Sequence, residues 1–435
     1  MDTLKAARML LDRQPLSEYL PYLAYDEKAK AYILDNAVGL VFECHPLPYP
    51  SSSAASTLRG LLETQFPAGT SLQIMLYTSR KIGAQLDAYV MYRENTHGNS
   101  MYSDFARQRA EYLQSGADVS LFKGCDIRVR DFRLIVSMAV PCSHTPHAIN
   151  HVKDNVVPTM RDTVYQALNT AGLYPVSVGP EELINILSEI LNPGHSLRDN
   201  LYYDPKAAIK DQVIYSDTET EIRKDCLVLD GYHVKSYTVK QYPREWDVSG
   251  IMSYTGDVYQ NVKQIGAPFM LVLNCEYLDQ LSARREIQKK ATIASYQAYG
   301  QFAKWFPKIG MRKEHFDEFT VALEQGETPF KAYMNMFVYA KDAAEATSMA
   351  SICQSLYRGM GFILQDDNYI MLPLFLQALP MAYHADAQRD LRRRRTFTTA
   401  NVAEIAPIQS DWKGGGRPVL PLISRRGQLQ FIDLF

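Results

Sequence analysis

The chain has 435 residues, 46 lysines plus arginines against 48 aspartates plus glutamates, and a formal net charge of −2. Hydrophobic residues make up 46 % and charged residues 22 %, which excludes wholesale disorder, and the near-neutral balance excludes a surface covered over most of its area by nucleic acid. At about 100–200 residues per domain, the length implies two to four domains.

The longest apolar run of the N-terminus, Met9 to Leu11, ends at Asp12 and Arg13, well short of the roughly 7–15 residues of a secretory h-region. The six cysteines are scattered without a CxxC pair, so buried free thiols in a reducing cytosol are expected. Ala31–Leu34 and Gly39–Cys44 flank Asp35-Asn36 as a hairpin. Ser53 is placed as the cap of a short helix that turns Leu58, Leu61, Leu62 and Phe66 inward. Ser71–Thr78 and Leu86–Tyr92 read as strands, and Tyr102–Gln114 as a helix stopped by Gly116.

Two units of one plan follow. Phe132–Val140 is an apolar strand, Pro146–Thr170 is helical, and Gly172–Val176 is a second strand. Tyr333–Ala340, Ala343–Tyr357 and Gly361–Leu364 repeat that order, that of a βαβ or split βαβ unit. Between them lies a strand cluster at Gln212–Gln241 with a turn at Asp230-Gly231, then a buried strand at Ala267–Cys275. One long helix is expected over 282–306, capped by Ser282, with Ile287, Ala291, Ala294, Ala298, Phe302 and Trp305 as its apolar stripe. Tyr369–Tyr383 is almost wholly apolar, yet too short to span a membrane and interrupted by Pro373 and Pro380. It reads as a core helix or, through Leu374, Phe375 and Leu376, as a surface for a membrane-embedded partner.

From Asp386 to Gly427 nine basic residues face four acidic ones, a net +5 that leaves −7 for the rest. Arg392, Arg393, Arg394 and Arg395 suit a solvated face, an intramolecular ion-pair partner, a protein partner or a nucleic acid. Arg284 and Arg285 form a smaller basic cluster. His144, His147 and His151 could ligate a metal, the last two one helical turn apart, and would then point to a metal-dependent hydrolase. A phosphate-cradling G-x-x-x-x-G-K-[S/T] is absent, so no nucleotide site is expected in this chain.

The fold class expected is α/β (α+β): several mixed-sheet, split-βαβ-like subdomains, one long helix and a basic C-terminal tail. The segments are drawn at 1–125, 126–265, 266–385 and 386–435.

Leu379-Pro380, Arg392–Arg395, Thr398-Thr399-Ala400-Asn401, Pro407, Trp412, Gly416-Arg417-Pro418, Arg425-Arg426-Gly427-Gln428 and Asp433-Leu434-Phe435 together resemble a known stretch. It lies just upstream of the motor domain in the F-type TraC-like conjugation ATPases of type IV secretion systems. The resemblance implies an N-terminal region without the RecA-like motor, ending at Phe435 before the Walker A motif. It implies docking onto inner-membrane subunits of the secretion channel, contact with its own C-terminal ATPase domain, and homo-oligomerisation. Pilus assembly and DNA transfer would be driven by the motor, with ATP and Mg bound there and no cofactor here. It further implies a cytoplasmic location at the inner membrane, with no transmembrane segment. A DNA-binding accessory protein of plasmid transfer, using Arg392–Arg395, is the other reading beside the hydrolase.

Overall fold

The computed structural model describes residues 15–97, 100–143, 149–150, 152, 156–195, 200–257, 259–260, 263–299 and 307–433. The first half runs β1 (Tyr22–Asp26), β2 (Ala31–Leu34), β3 (Ala37–Cys44), α1 (Ser52–Glu63), β4 (Ser71–Ser79), α2 (Gly83–His97), α3 (Ser100–Ser115), β5 (Asp131–Pro141), α4 (Val156–Thr170), β6 (Val176–Ser177) and α5 (Pro180–Leu191). The second half runs β7 (Thr220–Ile222), β8 (Leu227–Leu229), β9 (Tyr232–Gln241), β10 (Phe269–Tyr277), α6 (Gln280–Tyr299), α7 (Pro307–Glu324), β11 (Pro329–Ala340), α8 (Ala343–Gly359), β12 (Ile363–Asp366) and α9 (Met371–Ala378). The order is the same, except that a 3-10 segment, Val248–Thr255, stands where the first half has α1.

Both halves form one 13-stranded sheet in the order β1-β2-β3-β5-β4-β10-β11-β9-β8-β7. It runs unbroken across the segment boundaries at 125/126 and 265/266. Each half contains a split βαβ unit. Phe42 of β3 lies between Val136 of β5 and Ser177 of β6, and Thr238 of β9 lies between Asn335 of β11 and Gln365 of β12. Since each flanking strand is antiparallel to the middle one, β5 runs parallel to β6, and β11 to β12.

The halves meet where β4 pairs antiparallel with β10, Gln73 opposite Asn274. Two neighbouring antiparallel strands that show the same face are related by a two-fold axis normal to the sheet, so the molecule has an internal pseudo-dyad. At this seam the Gln73 amide donates to Asn274 Oδ1 at 2.8 Å, and the Asn274 amide donates to Asn335 Oδ1 at 3.1 Å. Slipping the seam by one residue would leave these buried amides unpaired, so they fix its register.

The likeness extends to single residues. Val157, Met160, Val164 and Leu168 of α4 are buried, and Ala346, Met349, Cys353 and Tyr357 of α8 are buried with the same spacing. Both helices end on a glycine at positive φ, Gly172 at 80° and Gly361 at 86°. In both, the next backbone N–H reaches back five residues, from Leu173 to the Leu168 carbonyl (3.1 Å) and from Phe362 to that of Tyr357 (2.9 Å). These are Schellman caps, which need the left-handed conformation that glycine adopts without a Cβ penalty.

Helices α1, α4 and α8 cover one face of the sheet, while α5 and α9 cover the other. The chain is thus a mixed α/β fold. After α9 it continues through α10 (Ala385–Leu391), β13 (Arg395–Thr398), α11 (Thr399–Ile405), β14 (Gly414–Gly415), β15 (Leu420–Ile423) and β16 (Leu429–Ile432). Strand β13 joins the large sheet beside β11, and β14-β16-β15 form a small sheet.

Several local expectations are corrected. Leu86–Tyr92 lies within helix α2, because Ile82, Leu86 and Val90 are spaced by four and pack on one side. The cap of α1 is Ser51, whose hydroxyl accepts from the Ala54 N–H at 3.1 Å. The helix expected over 282–306 is α6, which ends at Tyr299, and its first turn is held by Asp279 accepting from the Ser282 N–H at 3.1 Å. Phe302 and Trp305 lie outside the described residues, and α7 is a helix the pattern did not reveal. Helix α4 is described from Val156, and most of the segment expected to precede it lies outside the described residues.

Candidate partner interface

The arginine run is divided by its backbone. Arg392 closes α10 in the left-handed conformation (φ 53°) and stays exposed. Arg393 turns inward and donates to Asp367 Oδ1 at 2.9 Å. The Asp367 side chain has no exposed surface, and it also accepts from the hydroxyls of Ser236 (2.9 Å) and Thr238 (2.7 Å). Burial holds the Asp367 carboxyl above its ordinary pKa, with Thr238 and Arg393 pulling the other way. Arg394 pairs with Glu276, which also accepts from the Tyr383 hydroxyl at 2.6 Å. Arg395 is exposed and opens β13 opposite Ala332. Two of the four arginines are therefore spent on ion pairs within the chain, which does not favour the DNA-binding reading.

The rest of the tail is strapped across both halves. The Ile408 carbonyl accepts from the Leu47 N–H (2.8 Å), and the Trp246 ring N–H donates to the Glu404 carbonyl (3.1 Å). Lys413 pairs with Asp131 at 2.9 Å, and Arg426 with Asp411 at 2.6 Å. Burial alone would raise the Asp131 carboxyl; Lys413 and Gln428 outweigh it and hold the group below its ordinary value. Gly427, at φ 92°, lies so close to the Arg128 carbonyl that a Cβ there would stand 2.0 Å from its oxygen. The tail's positive charge is in large part an internal fastening.

The remaining candidates fall on different surfaces. Leu374 and Phe375 are fully buried, with Phe375 edge-on to Phe337 at 5.4 Å, so this helix is core and only Leu376 of the three is partly exposed. Arg284 donates to the carbonyls of Leu323 (3.2 Å) and Glu327 (3.0 Å), fastening α6 to the end of α7, whereas Arg285 is exposed. His144, His147 and His151 lie outside the described residues. Among the described residues, no group of three or more His, Cys, Asp or Glu could hold a metal ion. All six cysteines are free, and burial pushes the Cys353 thiol up to about 12. No described helix is long and apolar enough to cross a membrane.

The features that single residues did not reveal are two helical hairpins. Each joins a seam strand to the next strand outward: α2 and α3 between β4 and β5, and α6 and α7 between β10 and β11. Because β4 and β10 are antiparallel, the hairpins leave the sheet at opposite ends of its strands. On α3, Ala106, Ala110 and Leu113 are buried, while Met101, Phe105 and Tyr112 are exposed, Phe105 by 55 %. These three fall within roughly 40° of one another on a 3.6-residue helix, on the side away from the alanines. Apolar residues on two opposite faces of one helix were the available signal. The second hairpin exposes Leu281, Ile293 and Tyr296 on α6 and Val321 on α7. It also forms an open groove of about 760 Å³ whose lining includes Ala291, Thr292, Ser295, Thr320 and Glu324.

A family model described as TraC protein matches residues 16–383. Protein TraC of Escherichia coli (strain K12) is 24 % identical over 444 residues, covering 96 % of this chain and 49 % of that protein. The chain spans about half the length of this curated relative. Matched over most of its length by that family model, the chain belongs to the TraC protein family.

Proposed function

We propose that the chain is the docking and oligomerisation region of a conjugative transfer component of type IV secretion. In this reading it attaches a motor ATPase, which would bind ATP and Mg, to inner-membrane channel subunits and to neighbouring copies at the cytoplasmic face of that membrane. Family membership supports the assignment to conjugative transfer. The docking role is carried by one observation: two helical hairpins leave opposite ends of one rigid sheet with large apolar side chains uncovered. Exposed apolar clusters on a folded surface mark interaction sites.

The test is a variant with Phe105→Ser on α3 and Tyr296→Ser on α6. Both side chains are exposed, so thermal stability should be unchanged. Transfer frequency and the membrane-bound fraction should fall about tenfold or more if these rings anchor a partner. Unaltered transfer and recruitment would overturn the reading.

A further inference from the structure

We infer that two copies of this chain associate head to tail, with the exposed stripe of α3 from one copy seated in the groove between α6 and α7 of the next. This rests on the oligomeric part of the proposed function and names the surfaces that would carry it.

The shapes match. The stripe presents three large side chains, Met101, Phe105 and Tyr112, while the groove sets the small Ala291, Thr292, Ser295 and Thr320 among larger lining residues that include Tyr296 and Val321. Large groups packing into a trough of small ones is how helices approach closely. The groove's 760 Å³ exceeds the volume of one aromatic side chain, leaving room for Phe105 with a neighbour.

The charges match as well. Arg109 lies beside Phe105 on α3, and its guanidinium donates to the neutral Pro421 carbonyl at 3.0 Å, with no ion pair among the described residues. Glu324 lines the groove, is exposed, and has no ion pair among the described residues. A guanidinium on the rim of the stripe and a carboxylate on the rim of the groove would set the register of the joint.

The topology makes the contact intermolecular. The hairpins leave opposite ends of antiparallel strands nine residues long, about 30 Å at 3.3 Å per residue. Stripe and groove in one copy therefore sit beyond opposite ends of these strands. A heterologous contact of this kind closes into a ring or continues as a filament.

The experiment uses the whole chain with the half-exposed Cys125 and Cys142 changed to serine. One preparation carries Gln108→Cys, an exposed position one turn on from Phe105, and another Ser295→Cys. Mixed under mild oxidation, the two should give a disulfide-linked dimer that neither gives alone. Ala291→Trp, which fills the groove, should weaken self-association in sedimentation velocity by about tenfold or more. Arg109→Glu and Glu324→Arg should each weaken it, and together restore it. Self-association without the mixed cross-link, or without response to Ala291→Trp, would overturn the inference while leaving oligomerisation through another surface intact. A chain that stays monomeric at every concentration would overturn both. Circular dichroism melts of each variant separate these outcomes from misfolding.

Discussion

Ile82, just before the opening helix of the first hairpin, is fully buried, while Leu281, in the first turn of the second hairpin's opening helix, is 70 % exposed. The cover over Ile82 is not local. It comes from the tail, which returns some 300 residues later and lays Ile423, Leu429 and Phe431 against Ile82, Leu86 and Leu113. Arg93 and Arg109 then donate to the carbonyls of Val419 and Pro421 on that ribbon. The tail also touches the second hairpin, where β13 meets α7, but leaves Leu281 exposed. The first hairpin thus gains a buried face from a distant part of the chain.

If the halves are equivalent inside and different outside, buried matching pairs should respond alike. Phe132 of β5 and Phe330 of β11 hold matching positions; both are fully buried, the first against Phe269 and the second against Tyr277. Phe132→Ala and Phe330→Ala should each cost about 3–5 kcal/mol in denaturant unfolding. A near-neutral result at one would break the equivalence.

A smaller and graded effect is expected at the helix caps. Gly172→Ala and Gly361→Ala should each cost about 1–2 kcal/mol by forcing a Cβ into the left-handed region. Gly361 should be the worse of the two. Its Cβ would stand 3.1 Å from Pro243, against 3.8 Å from Leu47 at Gly172. The reverse order in thermal melts would show that the two caps differ in more than their neighbours.

The smallest effect concerns the linker between the halves. His195 Nδ1 lies 2.7 Å from Asp230 and Nε2 3.0 Å from Asp217, with the ring stacked on Tyr215. Burial opposes its charge, but the hydrogen bonds and charges of Asp230 and Asp217 outweigh this and raise its pKa. A raised folded pKa gives stabilisation that is complete below the ordinary value of about 6.5 and lost as pH rises through the folded value. Amide exchange at Gly194 and Gly231 should therefore quicken with pH beyond the intrinsic rate, and His195→Gln should remove that extra slope. An unchanged slope would show that the linker does not depend on the imidazolium.

How far the sequence foretells this molecule depends on the range of the interaction. Phe132–Val140, Tyr333–Ala340 and the Asp230-Gly231 turn declare themselves through local pattern, and the structure has them as β5, β11 and the β8–β9 hairpin, with φ of 50° and 79° at the turn. Both split βαβ units were legible for the same reason. Leu86–Tyr92 was not, because seven residues with few charges suit a strand as well as a helix until Ile82 is seen to share the face. The seam between β4 and β10 joins residues about 200 positions apart, and no local pattern announces it. The arginine run displayed its charge plainly, but its burial against Asp367 and Glu276 depends on the whole sheet. The exposed stripe of α3 is present in the local sequence but does not declare itself, since Phe105 and Tyr112 look like core residues until the true core of that helix is known.

The seam also has a consequence during synthesis. Every residue of β4 is buried, and one of its two edges is closed only by β10. At roughly 5–20 residues per second, a ribosome needs on the order of ten to forty seconds to add the intervening stretch. Throughout that interval the nascent first half carries an open, largely apolar strand edge of the kind that pairs with other chains. The amide thread of Gln73, Asn274 and Asn335 rewards the correct strand when it arrives, so the step that completes the sheet is also the one that ends its exposure to the wrong partners.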